Sequence, residues 1–319
     1  MLATNMKILI CHRPGGAFGY ISDSWINCLH DRGHVVQRWD GQLSSWQDFD
    51  PDVYIGCSGH KQPIPKPRRA KIAIHVNPWG PVKIDGINES EANIQWTLDK
   101  KPDAVFGYGF ESDRLLWSYW TEKAGIPWVP MPTAADKVIY QYRVDRTQRP
   151  LDIVYLGGRW TYKALTIDKF LFPVLKACSY QLHGWGDWPN NVCSGVLPED
   201  QVTNFFNTGK IGPCISEQHT QRYGIDIPER AFKVSLCGCL IVHDPVPRLD
   251  AIIPGVVVAR DQNDYLEKCL YYIRNEAERI QLAEQQRQQV LNNHTYHHRM
   301  RGLLSVLGFA EQAQDMLDD

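Results

Sequence analysis

The sequence is short of several things that would each have marked a class of protein. It lacks net charge: 34 Lys and Arg stand against 36 Asp and Glu in 319 residues, a balance of −2, which argues against a dedicated polyanion binder but leaves room for a local basic patch. It lacks any apolar run near the roughly 20 residues that a bilayer span needs. The opening stretch MLATNMKILICHRPGG carries one Lys and an apolar run over residues 8–11, briefer than the apolar region of a secretory signal at about 7–15 residues. It also lacks Cys-x-x-Cys. Its nine cysteines are scattered, several inside apolar runs, as in a reducing compartment where Cys behaves as a small hydrophobe. Nothing repeats at a short period. A cytoplasmic protein without a membrane span is the expectation, and its oligomeric state is left unspecified.

What is present is an alternation of short apolar runs and helical patterns, in a length that at about 150 residues per domain suggests two domains. Residues 6–11 (MKILIC) end at His-Arg-Pro-Gly-Gly and read as a buried parallel strand. Residues 22–32 place Trp25, Ile26, Leu29 and His30 at helical spacing, capped by Ser22 or Asp23 and closed by Gly33, before a second strand at 34–36. Strand, Gly-rich turn, helix and strand make the βαβ unit of a doubly wound sheet. Runs at 53–56, 71–76 and 104–107 continue the pattern, with a helix over 109–121. Residues 127–132 (PWVPMP) read as a rigid connection that regular structure does not cross.

The polar stretch 143–150 separates this from a second round. A strand at 153–156 meets Gly157-Gly158, a helix covers 167–176, and a strand at 180–183 runs into Gly184-Trp185-Gly186. A further strand at 210–215 is weakened by its Gly and Pro. A helix over 229–236, a strand at 239–243 and amphipathic helices over 263–273 and 276–291 follow. The fold class is α/β: two Rossmann-like domains, 1–145 and 146–292, expected to face one another across a cleft, and C-terminal helices over 293–319 expected to pack back on the first.

Such folds bind ligands just beyond the carboxyl ends of their strands. Gly157-Gly158-Arg159 followed by Lys163 is the most suggestive local pattern. The glycines admit close backbone approach, and two cations four residues apart at a helix start would neutralise a diphosphate. An ordinary strand-to-helix turn with a solvated Arg and Lys is the alternative. Asp23, His12, His60 and His75 are candidate proton acceptors. His75 ends an apolar run, where a packed core histidine accounts for it as well, and Asp23 doubles as a helix cap. His294, His297 and His298 look like a ligand cluster, but their place suits packing of a returning helix. Residues 61–71 (KQPIPKPRRAK) hold five Lys or Arg, three prolines and no acid. They form either a solvated loop or, through Lys61, Lys66, Arg68 and Arg69, contacts to an anionic acceptor such as nucleic acid, a phosphorylated lipid or an acidic glycan. Trp39, Trp46, Trp79, Trp117, Trp120 and Trp128 enrich the same half in aromatics that suit stacking on sugars or bases.

Residues 227–244 (IPERAFKVSLCGCLIVHD) resemble the donor-site segment of GT-B glycosyltransferases. The likeness is to the group-1, family-4-like branch that includes the CgeB spore-maturation proteins. Its pattern Arg-x-Phe-Glu-x-x-x-Cys-Gly is met by Arg230, Phe232, Cys237 and Gly238. Residues 254–259 (PGVVVA) with Asp261 and Asp264 resemble the branch's next strand and helix entry, and 293–299 (NHTYHHR) its closing His-Thr-Tyr-x-x-Arg. The likeness covers roughly residues 151–307 and is only topological before them. One position departs: many retaining members carry Glu-x7-Glu, where this chain has Ile225 and Lys233, so Glu229 or Asp226 would have to supply the carboxylate.

The resemblance implies a nucleotide-sugar donor, a UDP-sugar first of all, as co-substrate. Arg159 and Lys163 would hold its diphosphate, and the helix start at Glu229, Arg230 and Lys233 would add a positive dipole end. Trp185, after Gly184, would stack on the nucleobase; Ser216 lies in another post-strand turn, and Gly15 and Gly16 would admit phosphate or sugar. No metal and no cofactor are called for, since the cations would stabilise the leaving group. The acceptor would be a hydroxyl on a glycan, or on a hydroxymethylated base in DNA as in some viral GT-B enzymes. A GT-B epimerase or a non-catalytic nucleotide-sugar binder would share these features.

Overall fold

Each short apolar run becomes a parallel strand whose two faces meet helices. The computed structural model describes residues 5–11, 16–39, 48–60, 70–84, 86–189 and 191–317. They divide into two units, Met1–Val138 with Tyr296–Asp319, and Ile139–Thr295.

In the first unit β1 (Lys7–Ile10), β2 (Val35–Arg38), β3 (Val53–Cys57), β4 (Lys71–His75), β5 (Ala104–Gly107) and β6 (Trp128–Pro130) form one parallel sheet in the order β2-β1-β3-β4-β5-β6. Helix α1 (Gly16–Asp31) begins at Gly16, ahead of the cap expected at Ser22 or Asp23. Ser22 therefore lies inside it and turns its hydroxyl back to the Gly19 carbonyl at 2.9 Å. Helix α2 (Glu91–Lys100) carries too polar a sequence to stand out as a pattern; Ser90 caps it by accepting from the Asn93 N–H at 3.2 Å. The helix expected over 109–121 is instead a 3₁₀ stretch, Glu111–Trp117, followed by a π-type turn, Tyr119–Lys123. Residues 128–130 are a strand after all. β6 is at the sheet edge, where Pro130 forfeits no ladder bond.

One face of this sheet packs Ile8, Ile10, Trp25, Leu29 and Phe106 against Tyr296, Met300, Leu303 and Leu304 of the helix Tyr296–Val306. His297 of that helix meets the Asp31 carboxylate at 2.8 Å, and Arg299 donates to the Pro132 carbonyl at 2.9 Å. Burial drives the His297 imidazole down to about 4 despite Asp31. The other face packs Leu9, Trp39, Tyr54, Ile74, Val105, Trp117, Trp120 and Trp128. Four of the tryptophans expected to offer stacking surface thus build the core instead. Trp79 is half-buried with the Lys83 ammonium 3.1 Å from its ring centre, and Trp46 lies outside the described residues.

In the second unit β7 (Leu151–Leu156), β8 (Tyr180–His183), β9 (Gly209–Cys214), β10 (Leu240–His243) and β11 (Val257–Val258) form a parallel sheet in the order β11-β10-β9-β7-β8. Its helices include α3 (Thr161–Ala177), α4 (Glu199–Asn207), α5 (Gln218–Tyr223), α6 (Arg230–Leu236) and the long pair Gln262–Arg274 and Glu276–Asn293. β9 is a central strand despite Pro213: its pairing with β7 stops at Ile211, two residues before the proline, while Pro213 lies opposite Val242 of β10. Buried Arg149 donates to the carbonyls of Phe206, Gly209 and Cys237, so one cation closes the carboxyl ends of both α4 and α6. Each sheet reverses its winding between its first and third strands, β1 and β3 in one unit and β7 and β9 in the other. That is where doubly wound sheets open a crevice for ligands. Among the described residues no helix is long and apolar enough to cross a membrane.

Candidate active site

At the winding reversal of the second unit, the end of β7 is kept bare. A Cβ on Gly157 would stand 2.1 Å from an Arg230 Nη, and one on Gly184 would stand 1.8 Å from the Gly157 carbonyl oxygen. The Arg230 guanidinium fills the space so left. Its Nε donates to the Leu156 carbonyl at 2.7 Å, and its plane lies 4.2 Å from the Tyr155 ring centre. Arg230 is only 7% exposed, and its Nη1 is buried with no partner among the described residues.

Lys163, in the first turn of α3, is 4% exposed and lies 5.1 Å from the Trp160 ring centre. Burial, and next the charge of Arg230, push its ammonium down to about 8 from an ordinary 10.5, against the smaller pull of Glu217. Neither cation has a carboxylate within ion-pair distance among the described residues. Two buried like charges without a counter-ion are costly, and an anion placed between them removes the cost.

Arg159, which the sequence paired with Lys163, is engaged elsewhere. Its Nε and Nη2 hold Asp168 at 3.1 and 2.9 Å, and Nη1 donates to the Asp187 carbonyl. The structure therefore sets Lys163 beside Arg230. The two come from distant parts of the chain; the resemblance named Arg230 among the donor residues, and Gly157 marked a bare strand end, but neither placed Arg230 beside Lys163.

Trp185 is 55% exposed, with one face stacked on Trp160 at 5.2 Å and 5°. Ser216, just beyond β9, is fully buried. Its N–H donates to Asp244 at 2.8 Å, while its hydroxyl has no partner among the described residues. Burial raises the adjacent Glu217 carboxyl, with Lys163 acting against it. His219 bridges Glu217 at 3.7 Å and Asp226 at 3.1 Å. Lys233, at the place where the resemblance sets a Glu in many retaining members, pairs with Glu229 one turn earlier at 3.4 Å. α6 has seven residues, so the positive end expected of it is slight, and the charge at this edge comes from side chains.

In the first unit His75 ends β4 at 3% exposure. Tyr108, Phe106 and Phe18 surround it at ring distances of 4.4, 5.5 and 6.2 Å, and the Cys57 sulfur lies 3.6 Å from Nδ1. Asp23 sits in mid-helix and is ion-paired to Arg38. Gly16 is the first residue of α1. His12, Gly15, Lys61, Lys66, Arg68, Arg69 and the His60 side chain lie outside the described residues.

No sequence pattern pointed to Glu89. This buried carboxylate accepts from the Ser58 hydroxyl at 2.6 Å, the Asn77 N–H at 2.9 Å and the Asn93 amide at 2.7 Å, tying together the turns that follow β3 and β4. The spacing Asp-x-Asp occurs at Asp48, Asp50 and Asp52. Asp52 precedes β3 at the amino edge of its sheet and accepts from the Lys7 N–H at 2.8 Å.

A family described as glycosyl transferase-like matches residues 161–305. No curated protein matches the sequence. Among solved structures, T4 phage BGT with its UDP-glucose substrate is 13% identical at TM-score 0.64, covering 97% of this chain and 99% of that one. A similar match is described as the DNA modifying enzyme beta-glucosyltransferase with and without uridine diphosphoglucose. Sucrose-phosphate synthase of Thermosynechococcus elongatus is 11% identical at TM-score 0.64, covering 96% and 100%. TarM of S. aureus, in complex with fondaparinux, alpha-GlcNAc-glycerol and UDP, is 11% identical at TM-score 0.59, covering 80% of this chain and 55% of that one. The chain thus spans about half the length of TarM and the whole length of the other two. At these identities the likeness to the solved structures is one of fold.

Proposed function

We propose that the protein is a glycosyltransferase whose donor is a UDP-sugar with its diphosphate held by Lys163 and Arg230, a reading supported by the glycosyl transferase-like match over residues 161–305 and by the shared fold. The observation that carries this reading is the pair of buried cations at the winding reversal of the second unit, neither with a carboxylate at ion-pair distance among the described residues.

In the transfer an acceptor oxygen attacks the anomeric carbon. The bond from that carbon to the β-phosphate oxygen breaks, and the electron pair leaves with the diphosphate. Negative charge grows on that oxygen, where the free Arg230 N–H and the Lys163 ammonium would meet it in a site screened from water. The exposed face of Trp185 would receive the uracil, and the Ser216 hydroxyl a phosphate or sugar oxygen. No cofactor enters this scheme.

The acceptor belongs, on this reading, to the first unit, where His75 would take the acceptor proton as the attack proceeds. We favour a hydroxymethylated base in DNA as acceptor. The solved structures matched over their full length include a DNA-modifying enzyme, and the loop over 61–71 supplies Lys61, Lys66, Arg68 and Arg69 for the phosphate backbone. A cytoplasmic location belongs to the same reading.

The test incubates the protein with a panel of UDP-sugars, alone, with hydroxymethylated duplex DNA, and with short glycans. Release of UDP that requires DNA and weakens steeply with salt supports the whole proposal. Release that requires a glycan keeps the donor reading and removes DNA. Interconversion of the sugar without release identifies an epimerase, and binding without turnover a non-catalytic module.

A further inference from the structure

We infer that Tyr155 and Gly157 are positioning residues that hold the Arg230 guanidinium with one N–H turned to the donor diphosphate, an inference that rests on the donor reading above. Arginine is a long side chain, and freezing its rotamers costs free energy unless neighbours have already fixed them. Here three neighbours do so. The Tyr155 ring lies under the guanidinium at 4.2 Å, a cation–π stack that fixes the plane. The Leu156 carbonyl takes Nε at 2.7 Å and fixes rotation within that plane. The bare Cα of Gly157 lets an Nη approach to where a Cβ would stand at 2.1 Å. All three are consecutive residues at the end of β7, so one strand end shapes the whole socket.

Tyr155 is itself immobile. It is fully buried, and Trp188 meets its ring edge-on at 5.9 Å and 73°. After these contacts Arg230 still has Nη1 buried and without a partner among the described residues. A buried donor without an acceptor is costly in the empty protein and is satisfied when an anion arrives. The Tyr155 hydroxyl is buried without a hydrogen-bond partner among the described residues, so it is the ring that does the holding. Phenylalanine should therefore replace tyrosine, while an aliphatic residue should not.

The experiment is a double-mutant cycle on UDP affinity and on donor KM, with thermal unfolding followed in parallel. Arg230→Ala is expected to weaken UDP by about 100-fold, the loss typical of a preorganised charged donor. Tyr155→Leu is expected to weaken UDP roughly tenfold in the parent, as loss of a desolvated cation–π stack would. In the Arg230→Ala background the same change should add less than about twofold. Tyr155→Phe should restore most of the affinity. Gly157→Ala should weaken UDP as Arg230→Ala does, and should be tolerated once Arg230 is Ala.

A purely structural role for Tyr155 would lower affinity equally in both backgrounds, and that additive result would overturn the inference while leaving the donor site intact. Should Tyr155→Leu fail to fold, Gly157→Ala decides alone, and full UDP affinity in that variant would overturn the inference. Unchanged UDP affinity in Arg230→Ala would remove both the donor reading and this inference with it.

Discussion

The two units share a winding, with the first strand lying between the second and third, yet the carboxyl edges of their sheets are electrostatic opposites. In the second unit the edge carries Lys163 and Arg230, both buried. In the first it carries Glu89, a buried carboxylate whose oxygens are taken up by Ser58, Asn77, Ser90 and Asn93. One edge is satisfied as it stands; at the other, among the described residues, neither Lys163 nor Arg230 has a carboxylate within ion-pair distance, and Glu217 offsets the burial of Lys163 only in part. The same scaffold therefore makes a finished structural joint in one place and, on the donor reading, a binding site in the other, and the difference lies in side chains of the turns.

The largest expected break in this contrast comes from Lys163→Met. Turnover should fall by about 100-fold or more, while the melting temperature of the ligand-free protein should rise, because a buried unpaired charge has gone. Steady-state kinetics and a thermal melt on the same sample check both halves. In the same assays Arg159→Ala should cost less than about fivefold, since its charge is already spent on Asp168.

A second effect is set by protons. The Lys163 ammonium titrates at about 8 in the folded protein against an ordinary 10.5, so the unfolded chain binds more protons between those values. Stability of the free protein from this group therefore rises as pH climbs through that window, and is lowest below it. A bound diphosphate favours the charged ammonium. UDP affinity should thus be full below about pH 8 and fall by up to about tenfold per pH unit above it. Titrations of UDP across that range check the slope, and Lys163→Arg should flatten it.

The smallest effect on the donor belongs to the opposite edge. Glu89→Gln removes acceptor capacity from a joint of four donors and should cost about 1–3 kcal/mol of stability. UDP affinity should stay at its parent value. A loss of UDP affinity in this variant would mean that the two edges are not independent.

Much of this was legible beforehand, for identifiable reasons. Residues 6–11, 53–56 and 104–107 announce strands because a parallel strand covered on both faces has no polar side to interrupt the run. The donor segment around Arg230 and Phe232 was found through resemblance, and the family match across 161–305 agrees with it. What escaped depends on contacts between distant residues. Which arginine stands beside Lys163 is decided by Asp168 drawing Arg159 away and by Gly157 making room for Arg230, and neither is a local pattern. The tryptophans looked like a stacking surface because composition does not reveal direction, and Trp117, Trp120 and Trp128 point inward. Glu89 was invisible because a single Glu among polar neighbours reads as a solvated one.

The helix Tyr296–Val306 completes the core of the first unit, although the entire second unit is translated before it. At about 5–20 residues per second, the ribosome leaves the Ile8, Trp25 and Phe106 face without its cover for roughly ten seconds or longer. Nascent chains halted just short of Tyr296 should therefore recruit holdases and be cut readily by protease within the first 138 residues, while the later-made unit already resists digestion.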